Sequence, residues 1–149
     1  MMGFVANVMI GLSGDYIDLL HIQVHGDSEA MDFGSDTLDL EGLKGIWRPH
    51  LSNLGSFFYY LADPWVHLRT CDIGQNIMLL QNLAALWGVT VCAGRGKQIN
   101  AGFDVNFGRY AIVTPDGTTT IQTFEPEEAK YRSSLLILHG WSVWKAGSG

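Results

Sequence analysis

The sequence predicts a single α/β domain: a mostly parallel sheet covered by helices, with an antiparallel hairpin towards its C-terminal side. Three observations lead there. Two short apolar segments, Ile17 to Val24 and Trp65 to Thr70, run almost without interruption, as buried parallel strands do. Stretches with helical spacing separate them from each other and from a third such segment, Val89 to Ala93. After Gly108, two β-rich runs flank Thr114-Pro115-Asp116-Gly117, a strong turn signal.

Taken in order, Met1 to Leu12 is apolar and reads as a buried first strand or an ordered N-terminal extension. It lacks a positively charged leader and is too short to span a bilayer. Ile17 to Val24 is the first parallel strand, stopped at Gly26. In the acidic stretch that follows, Met31 to Phe33 and Thr37 to Leu40 pair as a small hairpin. Leu43, Ile46, Trp47, Leu51, Leu54, Phe57, Phe58 and Leu61 then recur at helical spacing, with Pro49 dividing a short first helix or turn from a second over about 50–62. Asp63-Pro64 ends it, and 65–71 is the second strand. Ile77 to Trp87 form an amphipathic helix closed by Gly88, and 89–93 is the third strand, stopped by Gly94-Arg95-Gly96. Strand, helix, strand, helix, strand is a βαβαβ unit with right-handed crossovers. Tyr110 to Val113 and Thr119 to Phe124 make the antiparallel hairpin near the sheet edge. Glu125 to Lys130 reads as a helical turn, and Leu135 to Leu138 as a short buried segment.

Composition narrows the function classes. With 149 residues, 47% of them hydrophobic, the chain buries one proper core. A net charge of −6 with no Lys/Arg run argues against nucleic acid and against an anionic membrane surface. The expectation is a soluble, cytoplasmic protein. The two cysteines, Cys71 and Cys92, are too few for a disulfide framework and are expected as free thiols.

Side chains alternate along a strand, so His21, Gln23 and His25 share one face of the first strand, and His67, Arg69 and Cys71 one face of the second. The opposite faces are almost wholly apolar. A polar face on a buried strand requires a reason, because unpaired polar groups in a core are costly. One reason is that these groups bond to one another or to covering elements. A metal site is another, but His21 and His25 stand roughly 13 Å apart on a strand and His25 with Cys71 alone is under-liganded. The third is a His25/Cys71 dyad at the C-terminal edge of the sheet, where open α/β folds bind ligands. Gly26 lets the chain turn directly after the histidine, and its amide together with that of Cys71 is positioned to form an oxyanion hole. A second His-Gly, His139-Gly140, follows Cys71 in sequence, has no reactive strand after it and reads as structural.

The order strand-His-Gly, helix, strand-Cys, helix resembles the caspase-like cysteine peptidases of clan CD, among them caspases, metacaspases, legumain and gingipains. More closely, Leu20 to Gly26, Phe33-Gly34-Ser35, Leu38 to Leu43, Leu68 to Ile73 and Asn82 to Val91 resemble a caspase-like domain often found near the N-terminus of large bacterial surface proteins. The likeness covers roughly residues 15 to 110. Two features depart from the family. Only Met1 to Gly14 is available for the strand and helix that usually precede the histidine strand, and Asp72-Ile73-Gly74 follows Cys71 in place of Arg-Gly or His-Ser-Gly.

The resemblance implies a three-layer caspase-like sandwich and a cysteine endopeptidase, a hydrolase with His25 as general base and Cys71 as nucleophile. Gly26 and Cys71 would supply the oxyanion-hole amides, and no cofactor is required. Arg69 would line the substrate pocket and favour a carboxylate-bearing residue through bidentate pairing. Asp27 and Asp72 are the acids near it, expected either to pair with Arg69 or to share in substrate binding. The expected partner is a peptide or protein substrate, with homodimerisation compatible. The rival expectation is a non-catalytic caspase-like module that binds a protein or peptide.

Overall fold

A computed structural model of the chain describes residues 2–12, 16–58, 61, 63–100, 104–126, 136–138 and 141–145. Met2–Leu12 form a helix, α1, which is the ordered N-terminal extension of the two readings of this stretch and not the buried strand. The reason is its period: Phe4, Val5, Val8 and Leu12 are buried on one helical face while Met9 and Ile10 stay exposed. A short run that is apolar but for Asn7 carries little such distinction until its neighbours are known.

Next come β1 (Ile17–Gln23) and a two-stranded hairpin of β2 (Ala30–Phe33) and β3 (Asp36–Asp39). Two short helices follow, α2 (Leu40–Lys44) and α3 (Arg48–Gly55), divided near Pro49 as expected; α3 stops well short of residue 62. Asp39 caps α2 by accepting the Gly42 N–H at 2.7 Å. Then come β4 (Trp65–Arg69), a 3-10 turn over Ile73–Gln75, α4 (Ile77–Trp87) and β5 (Thr90–Gly94). Asn76 caps the start of α4, and Gly88 at φ 66° closes its end. A second hairpin, β6 (Lys97–Asn100) with β7 (Asp104–Phe107), precedes β8 (Tyr110–Val113) and β9 (Thr119–Gln122). The last described strands are β10 (Leu136–Leu138) and β11 (Trp141–Lys145). Of the expected helical turn over Glu125 to Lys130, residues 127–130 lie outside the described residues, as does His139.

Among the described residues the main sheet has seven strands, in the order β10-β11-β1-β4-β5-β8-β9. Its centre is parallel, β1 with β4 and β4 with β5, and antiparallel strands flank it on both sides. Both parallel connections step in the same direction across the sheet, so crossovers of one hand place their helices on the same face. The core agrees: Leu20, Val66 and Val91, and beside them Ile22, Leu68 and Ala93, pack under Val8, Leu12, Leu51, Leu54, Leu80 and Leu83. Alternation then assigns the other face to a second transverse row, in which His21 is opposite His67 and His67 opposite Cys92. No helix among the described residues is long and apolar enough to cross a membrane.

Candidate functional site

Past the C-terminal ends of β1 and β4 lies a cleft of about 340 Å³, lined by Gln23, Val24, His25, Arg69, Cys71, Gln98 and Ile99. Parallel neighbours end on the same edge, so two segments distant in sequence meet there. His25 is exposed, and its carbonyl accepts the Asp32 N–H at 2.8 Å. Gly26 faces Met31 in an isolated antiparallel bridge, flanked by that bond and by Asp27 N–H to Ala30 O at 3.0 Å. This is the wide pairing, which turns the amide of Gly26 away from β2. Among the described residues neither the Gly26 nor the Cys71 amide donates to another backbone group. A Cβ on Gly26 would stand 2.5 Å from Thr70 Cγ2 and collide with the Ala30 carbonyl oxygen. Only glycine allows the two segments to approach so closely.

The expected strand 65–71 ends earlier, at Arg69; Cys71 and Asp72 form the turn beyond it, with Asp72 at φ 62°. Cys71 is half-buried. Its Sγ accepts the Gln98 N–H at 3.3 Å and donates to the Gln98 carbonyl at 3.6 Å. Beside it, Asp72 N–H reaches Gly96 O at 2.8 Å, and Lys97 Nζ is 2.6 Å from Asp72 Oδ2. The β6–β7 hairpin is thus fastened to the loop that carries the thiol. The Asp72 carboxylate, by hydrogen bond and charge, raises the Lys97 ammonium above its ordinary pKa. Asp27 is held below the usual carboxylate range by the Glu29 and Ala30 N–H groups, at 2.8 and 3.0 Å, which close its own turn.

Arg69 pairs with neither of the acids expected of it. Its Nη2 lies 2.7 Å from Oε1 of Glu125, in the segment after β9. The same carboxylate oxygen is 3.4 Å from Nδ1 of His67, whose side chain is 1% exposed. The His67 ring meets His21 edge-on at 5.0 Å between centroids and Tyr110 at 6.3 Å. Burial, and then the Glu125 charge, raise the Tyr110 hydroxyl above its ordinary pKa. Part of the polar face of the central strands therefore gathers around one carboxylate supplied from beyond β9, which Arg69 bonds and His67 contacts. Cys92 is buried on that face, and neither Cys71 nor Cys92 is in a disulfide. Among the described residues, no group of three or more His, Cys, Asp or Glu side chains is arranged to hold a metal ion.

The cleft brings together His25, Arg69 and Cys71 from the sequence reading, with Gly26 next to His25 in the chain, while Asp27 bonds within its own turn and Asp72 to Gly96 and Lys97. Sequence reasoning missed Gln98 and Ile99, the wall opposite His25, although Gly94, Gly96 and Gly108 bracket a run with some alternation there. It also missed Glu125, for which no local signal exists. No protein family, curated protein or solved structure matches this chain.

Proposed function

We propose that this protein is a small caspase-like cysteine hydrolase, a peptidase that forms a thioester acyl-enzyme on Cys71 with His25 as general base. The observation that carries the proposal is that His25 and Cys71 open into one cleft at the C-terminal edge of adjacent parallel strands. The caspase-like three-layer sandwich belongs to the same proposal: strand order β1-β4-β5 with histidine and cysteine past the strand ends supports it, and the described helices supply one outer layer.

In this mechanism the His25 imidazole takes the proton of the Cys71 thiol, and the thiolate attacks the scissile carbonyl. The amides of Gly26 and Cys71, which donate to no backbone group among the described residues, are the donors offered to the oxyanion. As the C–N bond breaks, the imidazolium protonates the leaving amine. A water, deprotonated by His25, then attacks the thioester; the C–S bond breaks, the acid is released, and the thiolate recovers its proton. Arg69 lines the same cleft, but Glu125 already engages its guanidinium, so a substrate carboxylate must compete for it. The role for Asp27 and Asp72 in this proposal is to hold the two loops that frame the cleft.

Thiol alkylation tests the dyad. Iodoacetamide at neutral pH should modify Cys71 far faster than the buried Cys92, and His25→Ala should slow the reaction at Cys71 by about ten-fold or more. Equal rates at both thiols, or indifference to the loss of His25, would falsify the catalytic reading. A specific observation favours the non-catalytic binding module as the second reading: the Cys71 thiol is hydrogen-bonded to the Gln98 backbone rather than to an imidazole.

A further inference from the structure

We infer that the cleft takes an uncharged, apolar side chain beside Cys71, and that Glu125 and Ile99 determine this preference. The inference rests on the cysteine-hydrolase reading and names the kind of acyl group it acts on. The resemblance implies the opposite, a carboxylate received by Arg69. A guanidinium selects a carboxylate only where its donors are open to the ligand. Here Nη2 of Arg69 lies 2.7 Å from Oε1 of Glu125, with the two side chains 10% and 20% exposed. That carboxylate is tethered, because the segment after β9 carries it, and a free ligand competes against an intramolecular partner. A ligand carboxylate entering the cleft therefore leaves water without gaining a counter-charge of its own. A ligand ammonium fares no better. Glu125 is committed to Arg69, the Asp72 carboxylate to Lys97 Nζ at 2.6 Å, and that of Asp27 to the Glu29 and Ala30 amides. None of these acids is among the described residues that line the cleft.

What the cleft offers instead is aliphatic surface. Val24 and Ile99 line it together with Cys71. Ile99 keeps 47% of its surface exposed, so an apolar group that covers it removes surface from water on both partners. Gln98, its neighbour in the wall, is already engaged. Its Nε2 reaches Asn106 Oδ1 at 2.5 Å, and its backbone N–H and C=O bond the Cys71 sulfur. Selectivity is a difference of two affinities, and here both sides of the difference point the same way. Aliphatic groups gain at Ile99, and charged groups lose because the one cation of the lining is already neutralised.

The test uses the intact chain and the N-acetylated chloromethyl ketones of Leu, Ala, Asp and Lys. Each alkylates a thiolate by forming a C–S bond and expelling chloride, so dividing the rate at Cys71 by the rate with glutathione removes intrinsic reactivity. In the wild type this ratio should be about ten-fold or more higher for Leu than for Asp or Lys, with Ala between them. Ile99→Ser should remove most of the advantage of Leu over Ala. Glu125→Gln, which keeps the shape and removes the charge, should raise the Asp ratio about ten-fold and lift Asp above Lys. Should Glu125→Gln not fold, Glu125→Asp gives the same reading, because its shorter carboxylate loosens the bond to Arg69 and raises the Asp ratio less. A wild type labelled as fast by Asp or Lys as by Leu refutes the inference. So does a Leu advantage that survives Ile99→Ser, or an Asp ratio that neither Glu125 variant moves. Failure of the dyad is a separate result, seen as an iodoacetamide rate at Cys71 unchanged by His25→Ala. A Leu preference that stands in that case supports an apolar binding cleft without catalysis.

Discussion

Gly26 has no room for a side chain, and its neighbours explain why the cleft exists where it does. Gly26→Ala forces both the Ala30 carbonyl and the Thr70 methyl to give way; Thr70 precedes Cys71, and Ala30 lies in β2, which is bonded to the segment carrying His25. The substitution should lower stability by about 1–3 kcal/mol, the usual cost of overpacking. A urea midpoint equal to that of the wild type would dismiss the close approach. Glu125 is the other residue on which the site depends. Removing it takes the Glu125 carboxylate from Arg69, whose side chain is 10% exposed, so Glu125→Ala should cost about 1–3 kcal/mol. A double-mutant cycle with Arg69→Ala should return a coupling of about 1 kcal/mol or more; purely additive losses would mean that the bridge contributes nothing. These residues were not equally legible. His25 and Cys71 stand out because each closes an apolar run, a pattern read locally. The partner of Arg69 lies 56 residues downstream, and only the fold, not the charge pattern, selects Glu125 over the nearer Asp27 and Asp72.

At the scale of elements, strong local chemistry was legible and weak amphipathicity was not. The β8–β9 hairpin is announced by its turn, and the structure closes it with Gly117 N–H to Thr114 O at 2.9 Å and Gly117 at φ 89°. Asp116 accepts the Thr118 N–H at 2.9 Å and the Thr114 hydroxyl at 2.5 Å, bonds that pull its pKa from 3.8 to about 2. Between these values the unfolded chain binds the proton that the folded chain refuses. The contribution of Asp116 to stability is therefore present above about pH 4 and lost as pH falls through about 2. Carboxyl-resolved NMR titration should find Asp116 among the most acidic aspartates, and Asp116→Asn should flatten the acid limb of stability against pH. A midpoint near 3.8 would mean that the turn bonds do not form in solution. The β6–β7 hairpin lacked such a signal. Lys97-Gln98-Ile99-Asn100 and Asp104-Val105-Asn106-Phe107 are short and largely polar, and Ile99 and Phe107 are exposed, so no buried face marks them as strands. Yet this hairpin supplies the wall against which Cys71 rests.

Across the whole molecule, the parallel centre followed from connectivity, because sequential strands joined by helices have few arrangements. What flanks β1 did not. β11 arrives from the far end of the chain to pair antiparallel with it, Leu20 opposite Val143 and Ile22 opposite Trp141, a contact that no local pattern encodes. The same holds for α1, whose buried residues join the core formed by α3, α4 and the central strands. Phe4, Val5, Val8 and Leu12 are each at most 6% exposed, and burial of such side chains stabilises by about 1.5–3 kcal/mol apiece. Their sum is comparable with the whole stability of an ordinary domain, about 5–15 kcal/mol. Deleting residues 2–12 should therefore abolish cooperative unfolding and expose dye-binding apolar surface. Val8→Asp, which places a carboxylate at a site with no exposure, should lower the urea midpoint in the full-length chain. The point substitution and the deletion separate two possibilities: a helix that merely lies on the domain would tolerate both. A truncated chain that still unfolds in one sharp transition at the wild-type midpoint would remove α1 from the core and leave β1 to be covered by something else.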